Sequence, residues 1–251
     1  MQRKLYKRTY IGTAMQRKPL HPENHEGSYL KSMIYGGMDG IITTFAIVAG
    51  VAGASLSSGV LLILGFANLI ADGISMAVGD YLSSKSEQQY TRNEQKRETQ
   101  HVKLNFAAEK RALIQSYQDK GLSLKDAGKL VTILAKDRKT FVEAIMTDER
   151  GIVERTDNPI KNGAITFCSF VFFGFIPLLT FVIAQFYAPL TESSFIVACL
   201  LTGMTLFILG GLKGRITERS IAISGLETLL IGGLAALAAF IIGNVLSHLV
   251  L

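Results

Sequence analysis

The stretch GFANLIADGISMAVGDYLSSKSE, residues 65–87, carries an apolar segment into a dense run of charge. At helical spacing Asn68, Asp72, Met76 and Asp80 follow one another at i, i+4, i+8 and i+12, so an amide, two carboxylates and a thioether share one side of a helix otherwise suited to lipid. Ionisable groups at membrane depth are costly unless they face a polar cavity or a partner. The stripe therefore reads either as a path for cations or protons, or as packing glue satisfied by hydroxyls on a neighbouring helix.

Composition supports a membrane setting. The 251 residues are 49% hydrophobic with a mean hydropathy of +0.31, 24 Gly, 5 Pro and no Trp, which is too apolar and too glycine-rich for an ordinary soluble domain. The expected fold class is all-α, a polytopic membrane protein. The basic first thirty residues carry no apolar core of a cleavable signal, so the first span is expected to start insertion itself. Cys168 and Cys199 fall in separate apolar segments and read as small buried hydrophobes rather than a disulfide or a metal site.

Residues 1–31 read as a basic cytoplasmic tail, in which His21, Glu23, His25 and Glu26 offer loose metal ligands or a merely solvated patch. Residues 32–82 read as the first two transmembrane helices, with spans near 33–56 and 60–82. Asp39 is the only charge in the first of these. Thr43 lies one turn beyond it, and Gly36 with Gly40 forms a small-residue face that admits a second helix closely.

Residues 83–161 form a charged helical insertion. No Gly or Pro interrupts 81–104, so its first helix continues the second span straight out of the membrane. Lys120 and Gly121 read as a helix stop, and Ser123 followed by Asp126 as the capped start of a second helix. A third helix is expected over about 138–149, ending at Gly151. Residues 162–251 complete the chain with spans near 163–188, 193–212 and 221–249.

The 26 Lys and Arg fall as seven in the tail, sixteen in the insertion and three at Lys213, Arg215 and Arg219, with none in the links at 55–59 and 188–194. By the positive-inside rule this gives five spans, with the N-terminus and insertion cytoplasmic and the C-terminus outside or lumenal. Topology also accounts for the net charge of +6. Nucleic-acid binding is not expected, because the basic residues are interspersed with acids and the insertion lacks interleaved exposed aromatics.

Two motifs at a fixed separation, YGGMDGIITTFAIVAG at 35–50 and ANLIADGISMAVGDYLSSKSE at 67–87, resemble the vacuolar iron transporter family. The likeness extends to SGLETLLIGG at 224–233 and to a helical insertion between spans two and three. It implies no tightly bound cofactor. It implies a homodimer whose first two spans line a pore on the two-fold axis and export Fe2+ from the cytosol in exchange for protons. The family's pore ligands match Asp39 and Met76; Asp72, Asp80, Asn68 and Thr43 would line the path or relay protons. Asp80 has a second reading, holding the helix junction by bonding Ser83 or Ser84. A carboxylate and a thioether, doubled by symmetry, suit Fe2+, Mn2+, Co2+ or Zn2+ better than Mg2+ or Ca2+. The membrane would be the cell membrane in a bacterium and the vacuolar membrane in a eukaryote.

The resemblance also implies a metal-binding cytoplasmic domain. Glu87, Glu94, Glu98 and His101 form one stripe on its first helix, and Glu143, Met146 and Glu149 another on its third. Glu98, Glu109, Met146 and Glu149 match the family pattern, whereas His101 and Ala112 stand where it expects carboxylates and Ile145 where it expects one of a Met pair. The alternative is an exposed acidic face beside Arg92, Lys96 and Arg97. Ser32 and Ser28 occupy positions that are often acidic in the family, which makes the pore mouth less negative.

Two rivals complete the reading. An intramembrane aspartyl protease would also need paired membrane aspartates, but AVGD at 77–80 lacks the first Gly of a Gly-x-Gly-Asp motif. A membrane-anchored scaffold recruiting partners through the insertion does not explain the polar stripe. Glu227 reads as a packing hydrogen bond to Ser224 or Thr228, or as a proton group of the path.

Overall fold

The computed structural model describes residues 25–153 and 157–250, and every regular element among them is helical. The side chains of the tail cluster at 21–26 lie outside the description. The first helix, α1, spans His25–Gly53, so Ser28 belongs to a helix rather than to the expected tail. Next comes α2, Ser58–Asp119, whose 62 residues start at Ser57, where the side chain accepts from the Val60 N–H. The insertion continues with α3, Leu124–Leu134, and α4, Arg138–Ala144. The expected Ser123 cap is present, accepting from the Asp126 N–H at 3.2 Å. A wide π-helical turn, Ile145–Glu149, closes the domain. Then follow α5, Pro159–Ala184, α6, Ser194–Ile216, and α7, Ile221–Val250.

Five of these helices are long and apolar enough to cross a membrane: α1, the first part of α2, α5, α6 and α7. The protein is thus an all-α, polytopic membrane protein.

The bundle is organised by close backbone approach. A Cβ on Gly36 would lie 2.7 Å from the Thr166 carbonyl oxygen, and one on Gly40 would run into the Phe170 carbonyl, so the small-residue face of α1 lies directly on α5. Further along α1, Gly50 meets Ala239 and Gly53 meets Phe240 of α7. Contacts ascend together in both pairs, so α1 runs parallel to α5 and to α7. In contrast, Gly65 meets Leu178 while Gly163 meets the Ala77 carbonyl, so α2 runs antiparallel to α5. An alternating bundle produces this pattern.

In the insertion, Val102, Leu113, Val131, Phe141, Val142, Ile145 and Met146 form a core of their own. Its helices therefore pack on one another within a single chain. Two expectations change. Both cysteines are free, yet Cys168 is exposed rather than buried, Cys199 being half-buried. Glu227 is exposed and bonds neither Ser224 nor Thr228; Thr228 instead donates to the Ser224 carbonyl at 2.9 Å.

Candidate functional site

On α2, Leu61, Gly65, Leu69 and Gly73 are buried at every fourth position and form the stripe that packs inward. Asn68, Asp72 and Met76 flank this stripe and are half-buried. Asn68 donates from Nδ2 to Asp72 Oδ2 at 2.7 Å, which fixes the carboxylate one turn before Met76. Met76 leans against the apolar cluster of Phe45, Leu69 and Phe170.

On α1, Asp39 and Thr43 are likewise half-buried, and Thr43 spends its hydroxyl on the Asp39 carbonyl at 2.8 Å, leaving the Asp39 carboxylate to other partners. Asp39 and Asp72 lie close enough for the charge of one to act on the other. Among the described residues, no Lys or Arg pairs with either. Two carboxylates within electrostatic reach of each other, with no basic partner among the described residues, suit a cation.

Asp80 differs from its stripe. Its Oδ2 accepts from Ser32 of α1 at 2.9 Å and from Thr166 of α5 at 2.6 Å, so the packing reading holds for this residue, with neighbours' hydroxyls rather than Ser83 or Ser84 as partners. The same principle operates one turn lower. Ser28 donates to Asp157 at 2.8 Å, and the buried Asn162 donates to Asp157 at 2.7 Å and to Ser84 at 3.2 Å. Ser28 and Ser32 thus each hold a carboxylate from elsewhere in the chain.

A second cluster, in the insertion, lies on either side of a break in α2. Asn105 has φ −131° and ψ 41°, outside helical values, and breaks α2 just beyond the stretch 81–104, which runs on as one helix as expected. Eleven residues of straight helix would separate Glu98 from Glu109 by about 16 Å. With the break, ligand atoms of Glu98, His101 and Glu109 all lie within 4.8 Å of one another. Asparagine tolerates such a conformation because its side chain competes for backbone hydrogen bonds. This was the available signal, since neither Gly nor Pro marks the position.

Glu98 is 1% exposed, and its Oε2 meets Arg150 Nη2 at 2.5 Å. Its other oxygen, Oε1, is buried and has no hydrogen-bond partner. Burial pushes the Glu98 carboxyl above the usual range, with Glu109 and Glu149 adding to the rise and Arg150 and His101 opposing it. Glu149 is pushed up as well, by burial and then by Glu109.

The remaining candidates lie elsewhere. Glu94 pairs with Arg97 at 2.7 Å, and Glu143 lies 3.6 Å from Lys139. Met146 packs in the apolar core of the insertion. The π-helical turn breaks the expected spacing of Glu143, Met146 and Glu149, so they do not form one stripe. Arg150, Ser32, Thr166 and Asp157 are participants that helical spacing did not single out.

The chain is similar to known proteins along most of its length. The sequence pattern of the VIT family matches residues 30–244. A vacuolar iron transporter of Toxoplasma gondii is 38% identical over 239 residues, covering 92% of this chain and 79% of the relative. One from Plasmodium falciparum is 36% identical, covering 91% and 86%. Vacuolar iron transporter 1 of Arabidopsis thaliana is 30% identical, covering 91% of each.

Proposed function

The chain belongs to the VIT family, and from that premise we propose that it carries Fe2+ across a membrane, out of the cytosol, in exchange for protons. The observation that carries this reading is the approach of Asp39 on α1 to Asp72 on α2, unaccompanied by a cationic side chain, with Met76 one turn on. Two copies of the chain form the pore on their two-fold axis. Asp39 and Met76 from each supply two hard and two softer ligands, a mixed set that also admits Mn2+, Co2+ and Zn2+.

Proton coupling follows from the carboxylates. A carboxylate has to be deprotonated to hold a metal, so proton and ion compete for Asp39, and an acidic far side favours release. Asp72, oriented by Asn68, is the next acceptor along the path. Asp80 serves the junction of α1, α2 and α5. Thr43 lines the path. The N-terminus and insertion face the cytosol and the C-terminus the opposite side, in a vacuolar membrane or the cell membrane according to the host. The cluster of Glu98, His101 and Glu109 binds the same ions on the cytosolic side, with Glu149 adding negative charge.

Liposomes reconstituted with the protein test the proposal directly. Fe2+ uptake accompanied by proton counter-flow is expected, with Asp39→Ala and Met76→Ala removing most of the flux. Equal transport by both variants and the unaltered protein would reject the pore assignment.

A further inference from the structure

We propose that Arg150 is a built-in competitor for metal: its guanidinium holds Glu98 in the metal-free domain and withdraws when a divalent cation binds Glu98, His101 and Glu109. This rests on the reading that the cytoplasmic cluster binds metal, and it adds the residue that sets the affinity.

A carboxylate as deeply buried as Glu98 needs a positive partner. Arg150 supplies one, but only to Oε2, at 2.5 Å. The other oxygen, Oε1, is buried and bare in a cluster whose ligand atoms lie within 4.8 Å. An unmade bond on a buried carboxylate oxygen is costly, and a cation between Glu98, His101 and Glu109 would supply it. That cation and the guanidinium would then share one carboxylate at close range, in a partly buried place where like charges are poorly screened. One of them has to yield. The side chain of Arg150 is 36% exposed, so it has water to move into, whereas Glu98 has none.

The backbone supports such a movement. Arg150 closes the π-helical turn, its N–H donating to the Ile145 carbonyl at 3.1 Å, and Ile152 donates to the Met146 carbonyl at 2.8 Å. Wide turns of this kind are uncommon and often sit at functional sites. Release of the guanidinium loosens the backbone at Arg150 and Ile152.

The test uses the full chain in detergent with Asp39→Ala, which removes the proposed membrane ligand, and Zn2+ as the probe. The Glu98-dependent site is defined as binding lost in Glu98→Gln. Arg150→Gln should tighten that site by about tenfold or more, while Arg150→Lys, which keeps the charge, stays near the parent protein. Hydrogen exchange at the amides of Arg150 and Ile152 should speed up when Zn2+ is added to the chain with Arg150 intact, a readout that needs no folded Arg150 variant. Unchanged or weaker Glu98-dependent binding in Arg150→Gln, or unchanged or slower exchange with Zn2+, overturns the competitor role and leaves the metal site standing. If Glu98→Gln changes nothing, the metal-site reading itself fails, and this proposal with it.

Discussion

The hydroxyl of Ser32 on α1 donates to the carboxylate of Asp80 on α2 across 2.9 Å, and Thr166 on α5 donates to the same oxygen. Three helices thus meet on one acidic oxygen at one end of the bundle. Asp80→Ala strips both hydroxyls of their acceptor, and we expect a loss of about 1–3 kcal/mol, read as a lower melting temperature in detergent. Asp80→Asn keeps an acceptor oxygen and should lose less. Equal melting temperatures for both variants and the parent would remove Asp80 from the junction.

Gly40 is where α1 and α5 come closest, against the Phe170 carbonyl. Gly40→Ala forces the helices apart, because backbone rather than a movable side chain blocks the new methyl. The expected result is a poor yield of monodisperse protein and a melting temperature lower by several degrees. Gly79→Ala is the control: a Cβ there meets nothing within 4 Å, so the change should be neutral or slightly stabilising, in keeping with the better helix propensity of alanine.

Asn68 donates to Asp72 and keeps that carboxylate oriented. In Asn68→Leu the acceptor loses its donor at half-buried depth, and Fe2+ uptake in liposomes should fall by about fivefold, the equivalent of one hydrogen bond. Folding should be retained, because Asn68 flanks the inward stripe rather than belonging to it. Full uptake in this variant would make Asp72 independent of its neighbour.

Asp148 receives Lys120 at 2.7 Å and the Tyr117 hydroxyl at 2.6 Å, and these two bonds hold its carboxyl below the usual range. Tyr117 moves the other way, pushed up to about 12 by burial and by its bond to Asp148. A lowered carboxyl contributes stability that is present above its unfolded value of about 4 and lost as pH falls through the folded one. A raised phenol contributes stability that is lost as pH climbs from its ordinary value of 10 towards about 12. Melting curves should therefore show losses at both extremes, and Asp148→Asn should flatten the acid limb. An acid limb unchanged in that variant would exclude the Asp148 contribution.

Much of this was readable in the order of the residues. The spans, the Ser123 cap, the stop at Lys120 and the close approach on Gly36 and Gly40 all follow from local rules of periodicity, capping and residue size. What stayed hidden depends on contacts distant in the chain. The partners of Asp80 are 48 and 86 residues away, so spacing along α2 could only nominate near neighbours such as Ser83 and Ser84. The start of α1 was misplaced because a polar helix end resembles a tail when its packing against α5 is unknown. The break at Asn105 lies between Glu109, which the resemblance already singles out, and the first-stripe residues Glu98 and His101 that it joins, while the π-helical turn disrupts the second stripe, adds Arg150 and leaves Met146 in the core.

The glycine contacts along α1 have a mechanical consequence. Backbone abuts backbone on α5 over one half of its length and on α7 over the other, so the first span has neither side-chain slack nor room to slide. It is the anchored member of the bundle, and any relative shift of the spans falls to helices with less of their surface covered, α7 and the first part of α2 among them.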